Sequence, residues 1–326
     1  MSNKIFASDF SFDDPQPSDL LAAYEAGLTG AFKDPEQDRL FDQEAPTFST
    51  AANDITDSGE GKVVCLYNYV LKYDDDAYKD AQSTGDCVSH GTRNAVDATR
   101  ACEIAVKGEA EGFYVKGATE AIYGSRGHSG QGMSCSGAAR FVSTEGGILL
   151  RQNYPDLGID LSNYKESVKL GMGWGRKGVP ENVKAEAKKH QVGTVIRVES
   201  LEQARDLIVN GYGIAACSGL GFSNKRNEEG VSRRQGSWSH CMAWLAVDAA
   251  NATVEEYGGP LILIQNSWGK FNSGPTRHNQ PPGSFWVVPK DANSIIRSNG
   301  IFAFSNVNGF PPQELPDWGF DYATAA

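Results

Sequence analysis

The chain has no CxxC pair, no apolar run near the ~18–20 residues that a membrane span needs, and fewer basic than acidic side chains. Each absence removes a class of function. Without CxxC ligand pairs, a structural zinc site has little support. Lys and Arg number 30 against 41 Asp and Glu, a net charge of −11. Non-specific nucleic-acid binding and attraction to anionic membranes both draw on basic residues, so neither partner is expected. The first residues lack an apolar stretch, and Asp9 arrives early, so no secretion signal is expected and a cytoplasmic location is. In that compartment Cys65, Cys87, Cys102, Cys135, Cys217 and Cys241 are expected to be free thiols. No cofactor is implied.

What is present suits a globular protein. The 326 residues are 40% hydrophobic, enough for one large domain or two lobes. Residues 1–60 stand apart as an acidic arm, with 13 Asp and Glu against 3 Lys and Arg and prolines at 15, 17, 35 and 46. One short helix is predicted over 19–26, with Ser18 as N-cap. The rest of the arm reads as a solvated tail, a docking segment or a short pro-piece. Residues 61–185 read as a helical lobe: 88–107 carries apolar and small residues at helical spacing, and 137–147 forms a second helix stopped by paired glycines. Residues 186–306 turn to short apolar strands rich in branched and aromatic side chains, with one helix over 201–211 between Ser200 and Gly211. Two polar loops are predicted, 221–238 and 270–283, and residues 307–326 read as an extended tail. The class is α+β, a helical lobe followed by an antiparallel β lobe.

Three residues carry the chemistry. Cys87 opens the predicted helix, where the helix dipole favours a thiolate, and Gly85 lets backbone approach a substrate closely. Alone it reads as a structural cysteine. His240 opens an apolar strand and alone reads as a packed imidazole. Asn266 is the sharper signal. It ends a buried strand and is followed by Ser267, Trp268 and Gly269, as expected if its amide oxygen orients an imidazole and the indole shields that bond.

Taken together these segments resemble the papain-like cysteine peptidases of family C1. The resemblance rests on Gln82 before Gly85-Asp86-Cys87, then Cys135-Ser136-Gly137-Ala138, Gly147-Ile148 and Tyr154-Pro155. It continues with His240, Asn266-Ser267-Trp268-Gly269 and Gly283-Ser284-Phe285-Trp286, so it spans about residues 70–305. It implies a two-lobe fold and a peptide or protein substrate in the cleft between the lobes. Cys87 would be the nucleophile, His240 the base and Asn266 the orienting residue, with Trp268 as its cover. Gln82 and the Cys87 N–H would stabilise the oxyanion, and Ser136 with Gly137 would line the substrate cleft. A divergent member from a bacterium or bacteriophage is the closest description.

Several positions depart from the family pattern. Gln82 precedes the nucleophile by five residues, where six are usual. Asp86 places a carboxylate beside the thiol, Val88 replaces an aromatic, Ala138 replaces the second glycine, and Cys241 follows His240 in place of alanine. Thr84 stands where the family has the cysteine that pairs with the equivalent of Cys135, so that disulfide is not formed. Residues 249–260 lengthen the connection from His240 to Asn266, as a hairpin extension. Two other readings compete. One is a papain-like scaffold with a structural role in a virion or other assembly, joined through residues 1–60 or the C-terminal tail. The other is a metal site built from Cys87, His90, His240 and Cys241.

Overall fold

The computed structural model describes residues 30–52, 55, 57–108, 114–306, 309–310 and 315–321. The helix expected over 19–26 lies outside them. Within them the chain is α+β, helices first and a sheet after.

The helical lobe is organised by one helix, α4 (Cys87–Lys107). It follows β1 (Ala31–Phe32), α1 (Pro35–Glu44), α2 (Phe48–Ala51), β2 (Val63–Cys65) and α3 (Tyr67–Tyr73). Val88, Ala95, Ala98, Ala101 and Cys102 give α4 a fully buried stripe, and Gly108 ends it in the left-handed conformation, φ 61°. Small residues let this helix lie tight on the sheet. A Cβ at Gly91 would stand 2.8 Å from the Cys241 sulfur. After α4 come α5 (Glu120–Gly124), β3 (Met133–Ser134) and α6 (Cys135–Arg140), which continues as a π-turn over Phe141–Glu145 before Gly146. The helix predicted over 137–147 therefore starts two residues earlier and loosens at its end. A small ribbon, β4 (Asn153–Tyr154) with β5 (Ile159–Asp160), precedes α7 (Tyr164–Lys177) and α8 (Glu181–Ala187).

The β lobe is a seven-stranded antiparallel sheet. Its strands are β6 (Val195–Arg197), β7 (Ile214–Arg226), β8 (Ser232–Asp248), β9 (Leu261–Gln265), β10 (Ser284–Val287) and β11 (Gly300–Phe304), in the order β10-β9-β8-β7-β11-β6. The seventh, β2, joins along β8. The helix α9 (Leu201–Val209) is capped by the Ser200 hydroxyl as its sequence predicts.

One loop prediction and one hairpin prediction fail. The stretch 221–238 is not a loop but the projecting end of the β7–β8 hairpin. Most of its polar side chains, Ser223 and Ser232 excepted, face solvent while the ladder pairs its backbone, and Phe222 and Trp238 anchor it, with Phe222 packed 5.1 Å from Phe285. The stretch 249–260 is not a hairpin extension. It forms α10 (Asn251–Tyr257), ended by Gly258 at φ 73°; the paired glycines stop a helix rather than turn a strand. A last helix pair follows: α11 (Pro289–Ile296) and α12 (Trp318–Asp321). The tail predicted as extended is partly docked, since Asp317 accepts the Val63 N–H at 3.0 Å and Leu315 is buried.

The described part of the arm is docked too. Asp34 caps α1 through the N–H groups of Glu36 and Gln37, with Pro35 in the first turn. Phe41 is buried edge-on against Phe302 at 4.7 Å, and the Arg197 guanidinium covers both rings while holding Asp42 at 2.8 Å. On the opposite side Arg140 of α6 binds Glu44 at 3.0 Å and Gln37 at 2.8 Å. The segment 30–44 thus straddles the gap between the lobes. Exposed ion pairs contribute little each, so burial of Phe41 does most of the anchoring.

Candidate active site

Four separated segments meet at the interlobe face of α4. Cys87 stands at its N-terminus, fully buried. The loop before it is held by Gln131, whose carboxamide oxygen accepts from the Thr84 hydroxyl and the Gly85 N–H, both at 2.7 Å. The Asp86 carboxylate accepts from the Tyr164 hydroxyl at 2.9 Å and lies 3.5 Å from the His90 ring. The Cys87 sulfur accepts the N–H of Gly30 at 3.3 Å, and the backbone N–H of Cys241, the residue after His240, lies near enough to favour its thiolate. The nucleophile candidate thus lies beside the backbone next to the base candidate. Burial pushes the Cys87 thiol up to about 11. The Gly30 and Cys241 donors pull against this, and the Asp86 charge adds to it.

His240 sits inside β8 with no exposed surface. Its Nε2 lies 2.8 Å from Asn266 Oδ1, which also accepts the Ser267 N–H at 2.7 Å. An atom accepting from a backbone N–H is the amide oxygen, so the imidazole carries its hydrogen on Nε2. Nδ1 is then the lone-pair nitrogen, and it has no hydrogen-bond partner among the described residues. The Trp268 indole covers the imidazole with ring centres 4.5 Å apart, and Trp238 closes the side at 6.1 Å. Burial drives the His240 imidazole down to about 4, only partly offset by the Asn266 bond. Burial thus disfavours the charged form of both groups.

Gln82 is in the site, but its carboxamide is already engaged. Its oxygen accepts from the Ser267 hydroxyl at 2.5 Å and the Trp268 indole at 3.1 Å, and its nitrogen donates to the Thr84 carbonyl at 2.8 Å. The five-residue spacing to Cys87 turns the amide into its own loop. Ser136 is buried with its hydroxyl unpartnered among the described residues, and the Gly137 N–H donates to Ser134 at 3.1 Å. The arm lies over this wall. β1 pairs with β3 in parallel, and Gln37 side-chain atoms stand 3.6–3.7 Å from where a Gly137 Cβ would be. Beside it a cavity of about 460 Å³ is lined by Phe32, Asp38, Arg197, Cys217, Ser239 and Asn299 among others.

The expectation of six free thiols is wrong. Cys135 and Cys217 form a disulfide, Cα–Cα 6.5 Å, while Cys65, Cys87, Cys102 and Cys241 are free. The pairing escaped prediction because its two cysteines are 82 residues apart and meet only when the lobes close. Thr84 does exclude the family pairing, yet Cys135 finds a partner across the cleft, so the cysteines no longer argue for a reducing compartment. The metal candidate set is also different from the expected one. Among the described residues, Cys135, Cys217 and Cys241 have their sulfurs within 4.8 Å of one another. Two of the three are already bonded to each other, which leaves one thiolate to offer. Other features that sequence reading missed are Gly30, Arg140 and Arg197, ordinary residues whose place depends on docking of the arm. His278, in the predicted 270–283 loop, binds Asp248 at 2.8 Å.

No model of a known protein family matches the chain, and no curated protein does. Solved structures do match. A procathepsin B from Trypanosoma congolense superposes with a TM-score of 0.51 at 10% identity, over 90% of this chain and 89% of that one. A recombinant stem bromelain precursor gives 0.50 at 13% identity, over 92% and 80%. Xylellain, a cysteine protease from Xylella fastidiosa, gives 0.48 at 11% identity, over 85% and 91%. The first two share the fold of this chain, which is the papain-like two-lobe arrangement.

Proposed function

We propose that the chain is a papain-like cysteine peptidase, held closed by residues 30–44 and acting on peptide or protein substrates. One observation carries the reading: His240 Nε2 is bound to Asn266 under an indole, its Nδ1 is left open, and the next peptide N–H lies beside the Cys87 sulfur. In the open enzyme Cys87 gives its proton to Nδ1, and Asn266 holds the imidazolium in place. The thiolate adds to the substrate carbonyl, and the imidazolium protonates the leaving amine. The Cys87 N–H and the Gln82 amide face the oxyanion once Gln82 releases Thr84. One such donor is worth about 3 kcal/mol in the transition state.

The closed form opposes this chemistry for a physical reason. Burial favours the neutral pair, and a substrate backbone needs the place that Gln37 holds above Gly137. Displacing the segment restores water to the cleft and relieves the desolvation of both groups. The complete burial of the candidate triad favours a second reading, a scaffold whose cleft never opens. The two separate in one experiment. Iodoacetamide should leave Cys87 unmodified in the resting protein, and should modify it at neutral pH, ahead of Cys65 and Cys102, once limited proteolysis has removed residues 30–44. Equal reactivity of the three thiols after removal would sink the peptidase reading and leave the scaffold.

A further inference from the structure

The Cys135–Cys217 disulfide crosses the cleft. Cys135 opens α6 and leads into Ser136 and Gly137 on the helical wall, whereas Cys217 belongs to β7 of the sheet. Cys241 is a free thiol with its sulfur within 4.8 Å of both bonded sulfurs. It is also the residue directly opposite Cys217 in the antiparallel β7–β8 register. Residues paired in this way have their side chains on the same face and Cα atoms about 4.5–5.5 Å apart, within the range a disulfide spans. Cys217 therefore has two partners in reach: one in the other lobe, one in its own sheet.

We infer that Cys135, Cys217 and Cys241 form a thiol–disulfide exchange site that locks or releases the cleft, a role separate from any chemistry at Cys87. The Cys241 thiolate attacks the Cys217 sulfur. A Cys217–Cys241 bond forms, the Cys135–Cys217 bond breaks, and its electron pair leaves on Cys135, which takes up the proton that Cys241 gave up. No oxidant or reductant is consumed. In the first state a covalent bond ties α6 to β7. In the second both linked cysteines lie in the sheet, and the helical wall moves free of it. Gly91 makes room for the attacking sulfur, since any side chain there would meet it at 2.8 Å. Burial keeps the Cys241 thiol protonated at rest, so the interlobe bond persists until the cleft is disturbed.

The test is disulfide mapping of the full-length chain, quenched in acid and digested without reductant. It is run on the wild type and on Cys87→Ala, where no nucleophile chemistry intervenes, so its outcome is independent of the peptidase reading. At rest the Cys135–Cys217 peptide pair should dominate. With a trace of dithiothreitol, far below the protein concentration, a Cys217–Cys241 pair should appear at its expense and Cys135 should become alkylatable. Cys241→Ala should abolish the new pair and leave Cys135 protected. Two results overturn the inference: Cys135 and Cys217 both found as thiols in the purified protein, or Cys241 remaining fully alkylatable while the trace thiol acts.

Discussion

Strand β8 contributes one buried side chain to each of two histidine contacts, and the partners treat the ring in opposite ways. Midway along it, His240 faces an amide, Asn266, under a tryptophan. At its end, Asp248 faces His278 at 2.8 Å and the Arg277 guanidinium, which reaches on to Glu229 and Thr253. Burial alone would raise the Asp248 carboxyl. The His278 bond and the Arg277 charge outweigh it and bring the group down to about 2. The second cluster is a fixed ionic staple. It pins the 270–283 loop, whose His278 and Asn279 hold positive φ of 53° and 52°, onto the sheet. The first is neutral and leaves one ring nitrogen open.

The largest expected effect separates the two ends by function. His240→Gln should lower peptide hydrolysis by the opened protein about 10²–10⁴-fold, the range of a lost general base, with a smaller effect on the urea midpoint than the change at Asp248. Unchanged turnover would remove His240 from the chemistry. Next in size, Asp248→Asn removes the buried carboxylate that half-buried Arg277 and His278 bind. Urea unfolding should show a loss of about 3–5 kcal/mol, with the rate of Cys87 alkylation in the opened protein unaltered. A change below about 1 kcal/mol would mean the cluster is not a staple.

Acid titration of stability should show both ends as separate steps. The folded His240 imidazole is depressed from 6.5 to about 4. Between those values the unfolded chain binds a proton that the folded one refuses, so stability falls as pH falls through that window, by up to about 3 kcal/mol. Asp248 is depressed from 3.8 to about 2, so its contribution is lost only below about pH 4. His240→Gln should erase the upper step and keep the lower one. If the upper step survives that substitution, its source is elsewhere.

The legible parts of the fold were those written in local pattern. The buried stripe of α4, the cap at Ser200 and the apolar run of β9 ending at Asn266 are short-range signals, and each appears as an element. The residues of the resemblance, Gln82, Cys87, His240, Asn266 and Trp268, do come together in space. Reading 221–238 as a loop failed because its polar side chains hid a backbone ladder supplied by the partner strand. Reading 249–260 as a hairpin failed because Gly258 and Gly259 end a helix as readily as they turn a chain.

The sequence by itself marked candidates, a thiol at a helix start, an imidazole in an apolar strand and an amide before an indole, and a family resemblance joined them. Lobe closure decided the rest. It set Gly30 on the Cys87 sulfur, Phe41 against Phe302 with Arg197 over both, and Cys135 beside Cys217. These contacts join segments far apart in the chain, where loop-closure entropy and packing, not neighbouring residues, choose the partner.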